Sequence, residues 1–390
     1  MKYKLLAIVG LALLIFVSED IWVTYSPILT DVAQIAGVGI GAVGILAIIY
    51  PIVFLILTVP VGILLDRNFK LWLTVGSILT FAAGTFRLIL PHTYIWLLTS
   101  QVIGAIGQPF LLNSFALFAS TYSEGRKPMV ISGLSFSMYL GTIFPLAAGY
   151  YFYNKGGLDM VFLPTALISV VGMALFMVGI LGLETRKSEQ TVSVFGDMNY
   201  AIRQKNLWIL GVILGLGVAA FDNLSTWLQP VLQIIKIGDV AGTVVALTLI
   251  LGLVGILIIP NFIAKRNGRT IYLRVASMAV FLIFVAIAFS ASKLALYGLL
   301  PISGFIMLPA YPIIMEWISR FYTKNHQGAA TGFMTFISRI FSVVFTLSAL
   351  VVISSFSYYF LFLAALIFGA VLFTWVLSTD KNAISSPIAS

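Results

Sequence analysis

Apolar residues run through this chain in long blocks, and the polar positions fall between the blocks rather than alternating within them. Twelve blocks can be marked, at about 5–29, 38–65, 71–91, 94–121, 128–153, 159–183, 206–232, 240–264, 270–291, 294–321, 328–352 and 356–378. Most reach the roughly 20 residues that a helix needs to cross a bilayer. Strands of a membrane barrel would alternate apolar and polar over about ten residues, so the pattern predicts helices. Six blocks precede a polar stretch around Thr185-Arg186-Lys187-Ser188-Glu189-Gln190 and six follow it. This predicts a first half over 1–184, a linker over 185–205, a second half over 206–379 and a tail over 380–390. The halves resemble each other. Asp66-Arg67-Asn68-Phe69-Lys70 follows the second block, and Lys265-Arg266-Asn267-Gly268-Arg269 follows the eighth, 199 positions on. The same offset carries Gly133 onto Gly332 and Trp22 onto Phe221. Paired six-helix halves are a transporter architecture, with the substrate site expected between the repeats.

Composition sharpens the picture. With 61% hydrophobic and 9% charged residues among 390, and a mean hydropathy of +1.09, the chain belongs in lipid. Its net charge of +9 is no sign of nucleic acid, because the basic residues gather in short loops on one side of the predicted bilayer. Arg67, Lys70, Arg126, Lys127, Lys265, Arg266 and Arg269 fall on that side, whereas the opposite loops carry Lys155, Lys236 and Lys293. Basic loops face the cytoplasm, which predicts cytoplasmic termini in a plasma-membrane protein. The N-terminus resembles a signal peptide. Its apolar run is too long, however, and Glu19-Asp20 interrupts it, so it is expected to remain as the first span. The absence of cysteine removes disulfides, iron–sulfur clusters and thiol catalysis.

Within the blocks, polar residues are few. Glu19 and Asp20 lie in the first span, where an acid at mid-depth costs at least about 2.5 kcal/mol and is functional by default. Helical spacing puts Glu19, Trp22 and Ser26 on one face. An acid beside an aromatic can hold a cation or pass a proton; alternatively, Glu19 is tied to another helix and only fixes packing. Asp222, Ser225, Thr226 and Gln229 form a stripe on the seventh span. Gly332, Thr335, Arg339, Ser342 and Thr346 form one on the eleventh, and Ser132, Ser135, Tyr139 and Thr142 one on the fifth. Gln101, Gln108 and Asn113 mark the fourth. Such stripes are either helix–helix glue or the lining of a cavity. Buried charges must be paired, and Asp222 with Arg339 is the expected pair. It is either a structural bridge or one that breaks when substrate or a proton takes one partner. Glu19, Asp20 and Asp222 are the candidates for carrying a coupled proton.

Gly62-x-x-x-Asp66-Arg67-x-x-Lys70 resembles the loop signature G-x-x-x-D-R-x-G-R-[RK] of the major facilitator superfamily, with Phe69 where glycine is usual. The second copy keeps Arg266, Gly268 and Arg269 and has Lys265 in place of the acid. The resemblance implies an all-α membrane protein with twelve transmembrane helices in two six-helix halves. It also implies a conformational latch at Asp66, Arg67, Lys70, Arg266 and Arg269. Trp22-Val23-Thr24-Tyr25, Gly107-Gln108-Pro109-Phe110-Leu111-Leu112-Asn113-Ser114 and Ala220-Phe221-Asp222-Asn223-Leu224-Ser225-Thr226 are similar to the feline leukaemia virus receptor-related (choline/ethanolamine/haem) carriers. There the position of Trp22 is an aromatic wall of the substrate cage. The position of Asp222 is usually tyrosine, and those of Tyr139 and Arg339 are usually glutamine. These departures favour a zwitterion or polar metabolite over a purely quaternary cation.

The expectation is a secondary transporter of a small organic solute. Trp22, Glu19, Gln108, Asn113, Tyr139, Asp222 and Arg339 are the substrate-binding candidates, and protons the candidate coupling ion. No metal, cofactor or nucleic-acid partner is implied, and a monomer in the lipid bilayer is expected. An organic-anion or drug exporter using Arg339 is one alternative, and a non-transporting receptor on a carrier scaffold is another. An enzyme is not expected. His92 and His326 fall in loops, and no H-E-x-x-H, catalytic cysteine or nucleotide-binding G-x-x-x-x-G-K-[ST] occurs.

Overall fold

The computed structural model describes residues 2–122, 127–183, 200–321 and 327–378, with only the backbone described at a few positions, Asp66 and Ser132 among them. Much of the expected linker and the tail lie outside the described residues. Among those described, the secondary structure is helical, with no strand. Eleven stretches among the described residues are long and apolar enough to span a bilayer. One of them, Gly133–Leu181, has 49 residues, about 70 Å of helix against a hydrocarbon core of about 30 Å. It belongs to helix α7 (Lys127–Leu181), whose helical path is broken at Gly156 and Gly157. Gly157 takes φ +64° and ψ −154°, a conformation open only to glycine without strain. The fifth and sixth spans are therefore two crossings joined at this glycine pair, which restores the expected twelve.

The chain divides into two compact units, Met1–Thr191 and Val192–Ser390. In the first, α1 (Lys2–Val23) packs against α7. From Val17 to Ile21 every α1 residue is buried, so the helix is enclosed on all sides at that depth. Gly10 makes the approach possible: a Cβ there would lie 2.2 Å from the backbone nitrogen of Phe176. Small residues let helices meet at such distances where lipid supplies no hydrophobic drive. α3 (Ile40–Arg67), α4 (Phe69–Phe86) and α5 (Tyr94–Leu112) complete the packing round α1. Asn68 ends α3 and starts α4, its side chain accepting from the Leu71 amide at 3.2 Å.

Two spans read as continuous are interrupted. The first span stops at Val23. A short 3-10 turn follows over Ser26–Ile28, and α2 (Leu29–Ala36) then resumes the run. Pro27 removes the donor that would have continued the ladder, and Thr24 turns its hydroxyl back to the Asp20 carbonyl at 2.5 Å. Ser26 therefore lies past the break, and the expected face of Glu19, Trp22 and Ser26 holds only as far as Trp22. The fourth span breaks at Asn113 into α5 and α6 (Ser114–Tyr122).

In the second unit, α8 (Lys205–Ile234) packs on α13 (Gln327–Ser348) and α14 (Phe356–Val376). Trp227 Nε1 donates to the Thr346 carbonyl at 2.8 Å and fixes the register of α8 on α13. α9 (Ala241–Lys265) packs on α11 (Lys293–Met307), and α10 (Arg269–Ser290) packs on α14. The tenth span is interrupted at Leu308-Pro309, between α11 and α12 (Ala310–Phe321), as its prolines predict.

Candidate functional site

Each half contains a buried charged cluster, built from residues far apart in sequence. In the first half, Glu19 is 3% exposed. Gln108 on α5 donates Nε2 to its Oε1 at 2.9 Å, and Thr142 on α7 donates to its Oε2 at 3.5 Å. Tyr139, one turn before Thr142, lies on the same face of α7 and is half-buried. Trp22 is half-buried one turn along α1, its indole Nε1 bonded to the Ala47 carbonyl of α3 at 3.0 Å. That bond leaves the ring as an oriented apolar wall. The structure thus brings Glu19, Trp22 and Gln108 into one neighbourhood, with Tyr139 beside it.

Asp20 points elsewhere. Arg87, just past the end of α4, is fully buried and sets its Nη2 3.5 Å from Asp20 Oδ2. Nη1 of Arg87 donates to Thr24 Oγ1 at 3.1 Å, Thr165 of α7 donates to Asp20 Oδ2, and the guanidinium lies 4.8 Å from the centre of the Phe162 ring. This pair was missed in the sequence. Arg87 falls near a predicted span end, where a charge is ordinarily solvated, and nothing in the local pattern ties it to a residue 67 positions earlier. Asp20 is thus tied to Arg87 and to the Thr165 hydroxyl, whereas Glu19 is bonded to Gln108 and Thr142.

Asn113 is bonded to α3. Its amide nitrogen donates to the Thr58 carbonyl at 2.9 Å and lies 3.2 Å from Thr58 Oγ1, which ties the break in the fourth span to α3. Gln101 does the same higher up, donating to the carbonyls of Ile21 at 3.1 Å and Leu46 at 2.8 Å.

The C-terminal half carries the expected pair. Arg339 Nη1 lies 3.8 Å from Asp222 Oδ2, with side chains 26% and 5% exposed. Ser342, one turn along α13 from Arg339, donates to the same carboxylate oxygen. The bridge is one-armed and longer than a hydrogen bond. A second pair in this half is of the opposite kind: Arg269 is fully buried and engages both oxygens of Glu316 through Nε and Nη2, a bidentate fork.

The residues expected of a latch have these surroundings. Arg269 opens α10 and is closed off by Glu316. Lys70 donates Nζ to the Leu183 carbonyl at 2.8 Å, within its own half, and Arg266 stacks 4.1 Å from the centre of the Phe262 ring. Arg67 is exposed. The Asp66 side chain lies outside the described residues. No cluster of His, Cys, Asp and Glu able to hold a metal is found among the described residues.

Comparison with known proteins follows the geometry. The chain covers nearly the full length of several solved transporter structures. It is 12% identical to a bacterial homologue of the human lysosomal transporter Spinster, in an inward-facing and unoccupied conformation, with a TM-score of 0.72 over 98% of each chain. It is 13% identical to the nucleoside transporter NupG, at 0.74 over 96% of this chain and 99% of the other. It is 14% identical to a D-xylose-proton symporter, at 0.72 over 97% and 99%. Identities this low carry the fold and not the substrate. An uncharacterised protein of Archaeoglobus fulgidus is 27% identical over 168 residues, which are 42% of this chain and 76% of that protein. The finer likeness to the choline-type carriers gains no support from these relatives. The family model described as Major Facilitator Superfamily matches residues 11–346, and the chain is therefore a member of the major facilitator superfamily, a membrane transporter and not an enzyme.

Proposed function

We propose that this chain moves a small organic solute, cationic or zwitterionic, by alternating access coupled to protons, as a monomer in the plasma membrane with both termini cytoplasmic. The observation that carries the reading is Glu19. It is a carboxylate enclosed in the first span, one turn from the Trp22 ring and in contact with an amide and a hydroxyl. Both partners can serve either state of the acid. Thr142 can donate to the anion or accept from the protonated form, and the Gln108 amide can turn its carbonyl inward. Asp20 and Asp222 each face an arginine, Arg87 at 3.5 Å and Arg339 at 3.8 Å, and stand behind Glu19 as candidate proton carriers. A substrate cation resting on the Trp22 face gains about 0.5–2 kcal/mol, depending on desolvation. In proteoliposomes, Glu19→Gln is expected to abolish uphill uptake driven by a pH gradient while sparing counterflow exchange. A variant that still accumulates substrate uphill would remove Glu19 from the coupling role.

A second reading, an organic-anion carrier, is favoured by Arg339, whose side chain is 26% exposed while that of Asp222 is 5% exposed. Uptake across a panel of labelled cations, zwitterions and organic acids separates the two. The anion reading requires organic acids to be transported and Arg339→Gln to abolish that transport.

A further inference from the structure

Arg274 follows Arg269, the first residue of α10, by five positions, which places it about 7.5 Å along the axis from the helix start. Its Nε donates to the carbonyl of Thr374 at 3.1 Å, and its guanidinium carbon stands 4.6 Å from the centre of the Trp375 ring. Thr374 lies in the last turn of α14, where carbonyls have no partner within the helix. Part of the arginine's role is thus to cap that end.

The cap uses one of five N–H groups and does not neutralise the charge, since a carbonyl carries none. Three other arginines inside the spans have acids: Arg87 has Asp20, Arg269 has Glu316 and Arg339 has Asp222. Among the described residues no carboxylate pairs with Arg274. Its surroundings are those of a lipid-facing surface. Ile271 and Val275, on either side of it along α10, are 65% and 64% exposed; Trp375 and Val376 on α14 are 65% and 55% exposed. A cation this close to hydrocarbon is costly unless an anion meets it at the interface, which a long side chain reaches by snorkelling. Tryptophan is the residue that settles at headgroup depth.

We propose that Arg274 and Trp375 hold the phosphodiester of an anionic phospholipid, with its acyl chains lying on the exposed faces of α10 and α14. The apolar flank selects a lipid over free phosphate, which would leave those faces without an occupant. A net negative headgroup is required because a zwitterionic one brings its own cation beside the phosphate. The site lies at the end of the half that also carries Lys265, Arg266 and Arg269, the end that the basic-loop asymmetry assigns to the cytoplasmic leaflet.

The test uses the full chain in nanodiscs of phosphatidylcholine mixed with phosphatidylglycerol, with retained lipids counted by native mass spectrometry. The native protein is expected to retain phosphatidylglycerol over phosphatidylcholine by about fivefold, the factor one arginine contributes at an anionic surface. Arg274→Gln should lose that preference. Arg274→Lys, which keeps the charge but not the fork on Thr374, should keep most of it, and Trp375→Leu should weaken it. The proposal is overturned if the native protein shows no preference, or if Arg274→Gln retains it. It is equally overturned if Lys loses as much as Gln, since the Thr374 cap and not the charge would then be responsible. Should Arg274→Gln fail to fold, the native titration together with the Lys and Leu variants still decides.

Discussion

Separating Asp20 from Arg87 should be among the most damaging single changes in the N-terminal half, and removing both charges should cost no more than the worse single removal. The two charges are 3.5 Å apart, with side chains 2% and 0% exposed. At that distance their attraction is about 5 kcal/mol for an effective dielectric of 20, set against the desolvation of both. Removing one partner leaves a bare buried charge, a loss of about 3–5 kcal/mol. The two single variants should not be equal. Asp20→Asn leaves Arg87 with Thr24 Oγ1 and the Phe162 ring, a cation–π contact worth up to about 2 kcal/mol when desolvated, and belongs near the lower figure. Arg87→Met leaves an Asp20 carboxylate with hydroxyl donors alone and belongs near the upper. The double variant should lose no more than the worse single, giving a coupling energy of about 3 kcal/mol. The assay is equilibrium unfolding in mixed micelles of rising SDS fraction, followed by far-ultraviolet circular dichroism. Half-life at fixed temperature stands in where unfolding is irreversible. Additivity of the two single effects to within about 0.5 kcal/mol would refute the pairing.

Four further outcomes can be checked directly. Gly10→Val would drive a side chain into the Phe176 backbone, 2.2 Å from where its Cβ must sit; it should abolish recovery of monodisperse protein. Gly217→Ala, with nothing within 4 Å of its added Cβ, should leave recovery unchanged. In binding measurements on detergent-solubilised protein, Trp22→Phe should keep part of the substrate affinity and Trp22→Leu should lower it by about two- to thirtyfold, the range of a cation–π contact; equal affinities would remove the ring from the site. For Asp222 and Arg339, flux should fall further when either charge is removed alone than when both are removed, as expected of a pair that leaves its partner stranded. Additive losses would show that the two act separately.

Much of the architecture is legible because lipid imposes it: a bilayer demands long apolar helices and short basic loops, and both are written directly in the chain. The facing of those helices is written far more weakly. A helix solvated by hydrocarbon is apolar on every side, so its inward face shows only at polar residues. Asp222 and Arg339 were matched because each stands in a polar stripe on an otherwise plain helix. Asp20 and Arg87 were not, since Arg87 lies beside a loop and has no stripe to place it. Helix breaks were harder still. Pro51, Pro60 and Pro230 all sit inside unbroken helices, so Pro27 by itself gave no warning.

The order in which the Asp20 cluster is made has a consequence for biogenesis. The acid is synthesised 67 residues before Arg87 and 145 before Thr165. At about 5–20 residues per second, the first helix waits roughly 3–13 s for its counter-charge, and longer for its second hydroxyl. Throughout that interval an ionised Asp20 at mid-helix would cost about 2.5–3.5 kcal/mol in lipid. The nascent first span is therefore held near the translocon's aqueous path, or carries Asp20 protonated, until the third span arrives. Pulling-force measurements on stalled chains would register this as a second inward tug on the first span when Arg87 emerges, one that Asp20→Leu should erase.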